Sequence, residues 1–375
     1  MRACVVCAGL RSPGDTLSTL RPQGILEDNS EVFFTGFRTR LNTRRGRQNV
    51  TMAMPSSTAH YDAAYSSTMV SPDGSSLLEQ HGLWTDDEIT AARIPRSSIT
   101  IQSVISRGAY GLVHLGIWKG MQVAVKTLLP ESRKSIMEIN QFLAEAKMIA
   151  AMEHPSIVNL IGVAWESLSD VCMVVEYMDG GDLRSLLNRY ERDNHPIGFD
   201  TEKLGIAMNV CHALTYLHSL SPPVLHRDLK SRNILLNRGL EAKVTDFGVS
   251  RQYVDQTMTA GVGTCLWMAP EVIMGMAYDG KADIFSFGIV LSELDKHSQP
   301  YSQESSNTLG STLKAAVPAI RLMQGIATGK LRVTFSQKCP QAMVELGEAC
   351  TALDPAERPS AAEALYRLQC ALRDN

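Results

Sequence analysis

The sequence predicts an α+β chain of two lobes: a small, mainly β lobe with one key helix, then a larger, mainly α lobe. Two observations carry that reading. From residue 99 to about 129, apolar residues alternate with polar or small ones, which is the two-residue period of strands. Beyond Gly181 the apolar spacing is mainly helical, and strands followed by a run of helices segregate into different layers.

Taken in order, residues 1–98 are rich in Ser, Thr, Arg, Gly and Pro, without a sustained apolar pattern. They read as a disordered N-terminal arm, most plainly the small and polar stretch 56–76. Arg38, Arg40, Arg44, Arg45 and Arg47 make it locally basic. That cluster is a candidate nuclear signal or anionic-lipid patch, against the plainer reading of a solvated arm. Ile99, Ile101, Val113, Leu115 and Ile117 then mark strands, and 121–129 continues as another. Residues 135–152 carry Ile136, Ile139, Phe142, Ala146 and Ile149 at helical spacing. Strands follow near 157–164 and 171–176. Leu204, Ala207, Met208, Cys211, Leu214 and Leu217 lie on one helix face. The apolar run 284–294 is interrupted by Ser286, Ser292 and Glu293 and reads as a buried helix. The folded domain is thus expected over 99–373, with lobes at about 99–175 and 179–373.

Composition narrows the function classes. The 375 residues are 44% hydrophobic and 20% charged, with a net charge of −3, so nothing singles out nucleic acid as the main ligand. No apolar run reaches the roughly 18 residues of a membrane span. The Val-rich stretch 5–10 is too brief for a signal peptide. Cys172, Cys211, Cys265, Cys339, Cys350 and Cys370 sit singly, which suits a reducing compartment, and a cytoplasmic protein is expected. Cys4 and Cys7 form a lone pair without the further ligands of a zinc site.

The chemistry concentrates in three places. Between the first two strands, Gly108 and Gly111 let backbone N–H groups approach phosphate oxygens, a weak signal alone. Lys126 then sits in the apolar strand Val123-Ala124-Val125-Lys126, where its charge demands an anion. The next helix offers Glu145, beside its buried face, with Glu138 as rival. The decisive cluster is His226-Arg227-Asp228-Leu229-Lys230-Ser231-Arg232-Asn233, followed by Asp246-Phe247-Gly248. Two carboxylates and an amide oxygen are the hard donors that Mg²⁺ prefers.

In chain order these motifs resemble the protein-kinase signature set, over roughly residues 99–372. Ala269-Pro270-Glu271, Asp283 and Arg358 extend the match. The resemblance implies a bilobal kinase fold, ATP and Mg²⁺ as cofactors, and protein substrates. It implies that Asp228 accepts the substrate hydroxyl proton, that Lys126, itself held by Glu145, holds the α- and β-phosphates, and that Lys230 approaches the transferred phosphoryl group. Asn233 and Asp246 would bind the metal. Ile105, Val113 and Ala124 would cover adenine from one side and Leu235 from the other. The linker Glu176-Tyr177-Met178 would offer backbone groups to its edge, with Val175 before a back pocket. Asp182 would take a ribose hydroxyl or serve as a helix N-cap. Glu271 and Arg358 resemble the family's buried anchoring pair, and Asp283 would hold the catalytic loop near His226.

The first glycine of the family's loop is here Ser106, a departure expected to weaken nucleotide affinity without abolishing activity. The catalytic loop and Gly263-Thr264-Cys265-Leu266-Trp267 resemble the tyrosine-kinase-like group, which includes mixed-lineage and Raf-type kinases. Lys230 and Thr264 favour Ser/Thr specificity, while Arg232 and Trp267 also occur in tyrosine kinases. A dual-specificity or tyrosine kinase and a nucleotide-binding scaffold stay open as alternatives. Thr257 and Thr259 are candidate phosphorylation sites that would pair with Arg227, and Thr264 a structural contact of Asp228 and Lys230.

Overall fold

The computed structural model describes residues 82–108, 111–247, 265–302 and 316–373. It begins in the region expected to be a free arm. Leu83–Thr85 form a 3-10 turn, and Asp86 caps the short helix α1 (Asp87–Ala91) by accepting from the backbone N–H groups of Glu88 and Ile89. Alternation along the next thirty residues gives β1 (Ile99–Arg107), β2 (Gly111–Trp118) and β3 (Met121–Leu128). Ser135 accepts from the N–H of Glu138 and so caps helix α2 (Ile136–Ala150), whose apolar residues Ile139, Phe142, Leu143, Ala146 and Ile149 are buried. Strands β4 (Leu160–Ala164) and β5 (Cys172–Glu176) complete an antiparallel sheet in the order β1-β2-β3-β5-β4.

The expectation of a disordered arm over 1–98 is therefore corrected for residues 82–98. Ile94 N–H donates to Val163 O at 2.9 Å and Val163 N–H to Ala92 O at 3.0 Å, so the segment pairs with the β4 edge. Arg93 donates to Trp165 O at 3.0 Å, with its guanidinium over the indole at 4.1 Å. Ile89 has no exposed surface and packs with Phe142, Leu143 and Val163 in the main core. One buried side chain on a five-residue helix leaves no period to detect in sequence. The Arg38, Arg40, Arg44, Arg45 and Arg47 cluster lies outside the described residues.

The second lobe starts with the two-residue strand β6 (Gly181–Asp182) and helix α3 (Leu183–Arg192). Helix α4 (Thr201–Ser219), capped by Asp200, buries Leu204, Ala207, Cys211, Leu214 and Leu217. Strands β7 (Ile234–Leu236) and β8 (Ala242–Val244) pair with β6 in the order β6-β7-β8. Then come α5 (Pro270–Ile273), α6 (Lys281–Lys296), α7 (Ala316–Ala327), α8 (Gln341–Cys350) and α9 (Ala361–Arg373). Every residue of α6 from Ala282 to Asp295 is buried, as an axle helix in a lobe's centre must be. Among the described residues no helix is long and apolar enough to cross a membrane. Six cysteines among the described residues, Cys172 in β5 and five in this lobe, are free thiols.

A chain starting at residue 99 is expected to be less stable than one starting at residue 82. Losing the burial of Ile89 alone should cost about 1.5–3 kcal/mol. Urea titrations of the two forms measure this, and coincident midpoints at equal slopes would show that 82–98 contributes nothing.

Candidate active site

Strand β3 separates its two faces by alternation. Val123 and Val125 enter a small core with Ile99, Ala164, Cys172 and Val174. Ala124 and Lys126 take the opposite face. There Lys126 Nζ lies 2.8 Å from Glu145 Oε1 and 2.8 Å from Asp246 Oδ1. Burial pulls the Lys126 ammonium down, but the Asp246 and Glu145 charges outweigh it and hold its pKa above the lysine range. Lys126 holds the Asp246 carboxyl below its usual range, whereas burial pushes Glu145 up. Of two acids sharing one cation, Asp246 is thus the more readily ionised. Glu138, the rival to Glu145, sits in the capped first turn of α2 and makes no ion pair with Lys126.

The loop 226–233 is strung between backbone anchors. Asp283, in the first turn of α6, accepts from His226 N–H and Arg227 N–H, both at 2.9 Å, and contacts His218 Nε2 at 2.9 Å. Burial opposes ionisation of Asp283, yet the His218 hydrogen bond and nearby His226 hold its pKa below the usual value. His226 is fully buried, and burial keeps its imidazole pKa low. Its Nδ1 accepts from Asp228 N–H at 3.2 Å, so the hydrogen-bond network assigns the ring proton to Nε2, which donates to Thr245 O at 3.1 Å. The ring thereby ties the loop to the strand that delivers Asp246. Arg227 (φ 65°) and Asp246 (φ 59°) both adopt left-handed backbone, uncommon for these residue types and held by this framework.

Within the loop, Lys230 Nζ donates to Asp228 Oδ2 at 2.9 Å. Asn233 Nδ2 donates to Asp228 O at 2.9 Å and to Asp228 Oδ2 at 3.2 Å. Asn233 is buried, and with its amide nitrogen spent on Asp228 its oxygen is left as an acceptor. Asp246, which spends Oδ1 on Lys126, is 49% exposed. These are the hard oxygen donors that suit Mg²⁺. Among the described residues no three His, Cys, Asp or Glu side chains gather around a common point.

Around the cleft, Ile105 and Ser106 are the end of β1 rather than part of a turn, with Ser106 opposite Val113. Gly108 N–H donates to Gly111 O at 2.9 Å. A side chain at Gly111 would collide with the Thr127 carbonyl, so sheet packing demands this glycine whatever it does for a phosphate. Ala124 and Met178 are buried, Val113, Val175 and Leu235 half-buried, and Ile105 is exposed. The Glu176 carboxylate accepts from Asn159 N–H at 2.7 Å and from Lys243 Nζ at 2.7 Å, tying the two lobes. Asp182 is the N-cap of α3, accepting from Ser185 N–H at 3.0 Å and Ser185 Oγ at 2.6 Å. Gly248, Thr257, Thr259 and Thr264 lie outside the described residues.

Glu271 and Arg358 form a buried bidentate pair at 2.6 and 2.8 Å. A second buried pair escapes sequence reading. Arg184 of α3 donates to Glu293 of α6 at 3.0 Å, with 1% and 0% side-chain exposure. Glu293 also accepts from Ser231 Oγ at 2.7 Å and from Trp267 Nε1 at 2.8 Å. Burial pushes the Glu293 carboxyl up, while the Ser231, Arg184 and Trp267 contacts favour its ionised form. One carboxylate thus joins α3, α6, the loop bearing Asp228 and the segment leading into α5. The signal was Glu293 itself, a charge in an apolar run that burial obliges to be paired.

A family model described as protein kinase domain matches residues 99–367. Mitogen-activated protein kinase kinase kinase 10 of Mus musculus is 32% identical over 286 residues, covering 74% of this chain and 28% of that protein. Mitogen-activated protein kinase kinase kinase 11 of Homo sapiens is 32% identical over 281 residues, covering 72% and 31%. Mitogen-activated protein kinase kinase kinase 7 of Bos taurus is 33% identical over 274 residues, covering 72% and 43%. The chain therefore spans less than half the length of these relatives.

Glu293→Gln should lower the unfolding free energy by about 3–5 kcal/mol, because Arg184 is left buried without its counter-charge. Denaturant titration checks this, and a change under about 1 kcal/mol would contradict the role given to the pair. The adjacent His297 generates a pH prediction. Burial, then the nearby charges of Lys203, His195 and Arg184, push its imidazole down to about 4 from 6.5. Between those values the unfolded chain takes up a proton that the folded chain refuses. Its contribution to stability is full above 6.5 and is lost as pH falls to about 4. His297→Asn, tolerated at φ 62°, should flatten the acid limb of stability against pH by up to ~1.4 kcal/mol per pH unit. Parallel wild-type and variant curves between pH 6.5 and 4 would refute it.

Proposed function

The chain belongs to the protein kinase family, in its tyrosine-kinase-like group, and on that premise we propose that it transfers the γ-phosphoryl group of ATP to Ser or Thr hydroxyls of protein substrates in a signalling pathway. The observation that carries the proposal is Lys126, held at 2.8 Å by both Glu145 and Asp246 in a cleft that also presents Asp228, Lys230 and Asn233.

The division of labour follows from the donor and acceptor inventory. Lys126 has three N–H donors and spends two on carboxylates, which leaves one for a phosphate oxygen. Lys230 and Asn233 both bind Asp228 Oδ2, which fixes the orientation of the carboxylate that accepts the substrate hydroxyl proton. Lys230, so placed, offsets negative charge developing on the transferred group. Asn233 and Asp246 would hold Mg²⁺, which when bound supplies charge neutralisation along the phosphates. Ile105, Val113, Ala124 and Leu235 would flank adenine, while the backbone of Glu176-Tyr177-Met178 meets its edge. Positioning and electrostatics carry the catalysis, since the protein contributes little covalent chemistry.

Ser/Thr specificity is supported by Lys230 on Asp228. Trp267, the residue shared with tyrosine kinases, has a packing reason of its own in its bond to Glu293. Ser106 lies in a strand, where an extended backbone needs no glycine, and so gives little support to an inactive scaffold. A cytoplasmic location fits the free thiols. Phosphorylation at Thr257 or Thr259, drawn toward Arg227, is the regulatory step this reading includes.

Asp228→Asn should reduce phosphate transfer from ATP to a generic basic protein by about 10²–10⁴-fold while leaving nucleotide binding measurable. Lys126→Met should abolish most transfer through weakened nucleotide binding. Wild-type turnover by either purified variant would remove the basis of the assignment.

A further inference from the structure

The helix that carries Glu145 is gripped from outside the family match, which begins at residue 99. Three contacts reach α2 itself, and a fourth fastens them to the sheet. Lys147, two residues beyond Glu145, donates to Asp86 Oδ2 at 2.6 Å. Leu83 N–H donates to Asn140 Oδ1 at 2.8 Å, toward the other end of α2. Ile89, with no exposed surface, enters the cluster formed by Phe142, Leu143 and Ala146. Behind them, Ala92 and Ile94 are hydrogen-bonded to Val163 of β4, so the grip is fastened to the sheet that carries Lys126. The fit leaves no slack. A side chain at Gly162 would meet Ala92 O at 2.7 Å and Ile94 Cγ2 at 2.8 Å.

We propose that residues 82–94 are a built-in clamp on α2, in which Asp86 and Ile89 act as positioning residues for the Lys126–Glu145 pair. The inference rests on the kinase reading above and deepens it. A helix held only by its apolar face can rotate or slide, and the Lys126–Glu145 bond is sensitive to both. Asp86 is itself oriented, because its other oxygen caps α1. Lys147 holds the Asp86 carboxyl below its usual range through their hydrogen bond, so the contact is ionic near neutral pH. Asp86 and Ile89 touch neither Lys126 nor Glu145, and act on them only through α2.

The test uses the full chain and four proteins: wild type, Asp86→Asn, Ile89→Ala, and Leu346→Ala as a control for lost packing in the other lobe, where Leu346 is buried. All are assayed well below their melting temperatures with a generic basic protein as phosphate acceptor. Ile89→Ala should lower kcat/KM for ATP by roughly tenfold, within the ~10²-fold that an ångström of misplacement can cost. Asp86→Asn should give a smaller loss in the same direction, with KM for the protein acceptor unchanged in both. Leu346→Ala should keep the wild-type kcat/KM for ATP. Unchanged values in both clamp variants, or an equal loss in Leu346→Ala, would overturn the clamp. Amide hydrogen exchange supplies a readout independent of turnover. Protection of residues 136–150 should fall in Ile89→Ala and stay in Leu346→Ala. A wild type that transfers no phosphate would fail the kinase reading, while the exchange data would still decide whether the clamp exists.

Discussion

One ammonium group sets the terms for the rest of the molecule. Lys126 follows the apolar run Val123-Ala124-Val125 within its strand, and a cation there is tolerable only against negative charge. The two carboxylates that meet it come from positions 19 and 120 residues away in the chain. At 4 Å and an effective dielectric of 20, one such attraction is worth about 4 kcal/mol before desolvation is charged against it. Sheet, helix α2 and the end of β8 must therefore converge within a fraction of an ångström. The capping of α2 by Ser135, the tie from His226 to Thr245 and the left-handed backbone at Asp246 all serve that convergence.

The larger lobe meets the same demand through one buried helix. Near its start α6 presents Asp283 to the backbone of His226 and Arg227, and near its end it presents Glu293 to Ser231. Both ends of the loop bearing Asp228 are thus measured against a single rigid element. Ser286 of the same helix donates to Trp267 O at 2.7 Å, and Glu293 receives the Trp267 indole, so the segment entering α5 is referred to the same axis. Ser286 and Glu293, which interrupt its apolar pattern, carry these contacts, while Ser292 bonds to Ile289 O of its own helix. A wholly apolar α6 would pack as well and position nothing.

What was legible in the sequence follows from how far each signal reaches. Lys126, and the run from His226 to Asn233, betray themselves locally, because charges crowded into short or apolar stretches need a chemical reason. The strands and helices from 99 onward show because their periods extend over several turns. Residues 82–98 do not, since α1 is too short to display a period and its one buried side chain is anchored by residues more than fifty positions away. The pairing of Arg184 with Glu293 spans 109 residues, and neither partner names the other. Ser106 and Asp182 fall between. Ser106 pairs with Val113 in a strand where a loop position was expected, and the Ser185 bonds show Asp182 in the N-cap that the sequence left open beside a ribose contact.

The same geometry explains why control over this site would act through α2 more readily than through the loop bearing Asp228. Asp228 is bound by Lys230 and Asn233 from within its own loop, and that loop is fixed at both ends to a buried helix. Moving it would break several buried contacts together. Glu145 has no such local support; it reaches Lys126 from a helix whose outer contacts are the half-exposed pair of Lys147 with Asp86, the hydrogen bond from Leu83 to Asn140 and the buried side chain of Ile89. A half-exposed pair contributes about 0–1 kcal/mol, small enough for a binding partner or a modification to reverse. The smaller lobe thus holds the glutamate that positions its lysine by contacts that can be released singly, whereas the larger lobe holds its catalytic carboxylate by contacts that must be released together.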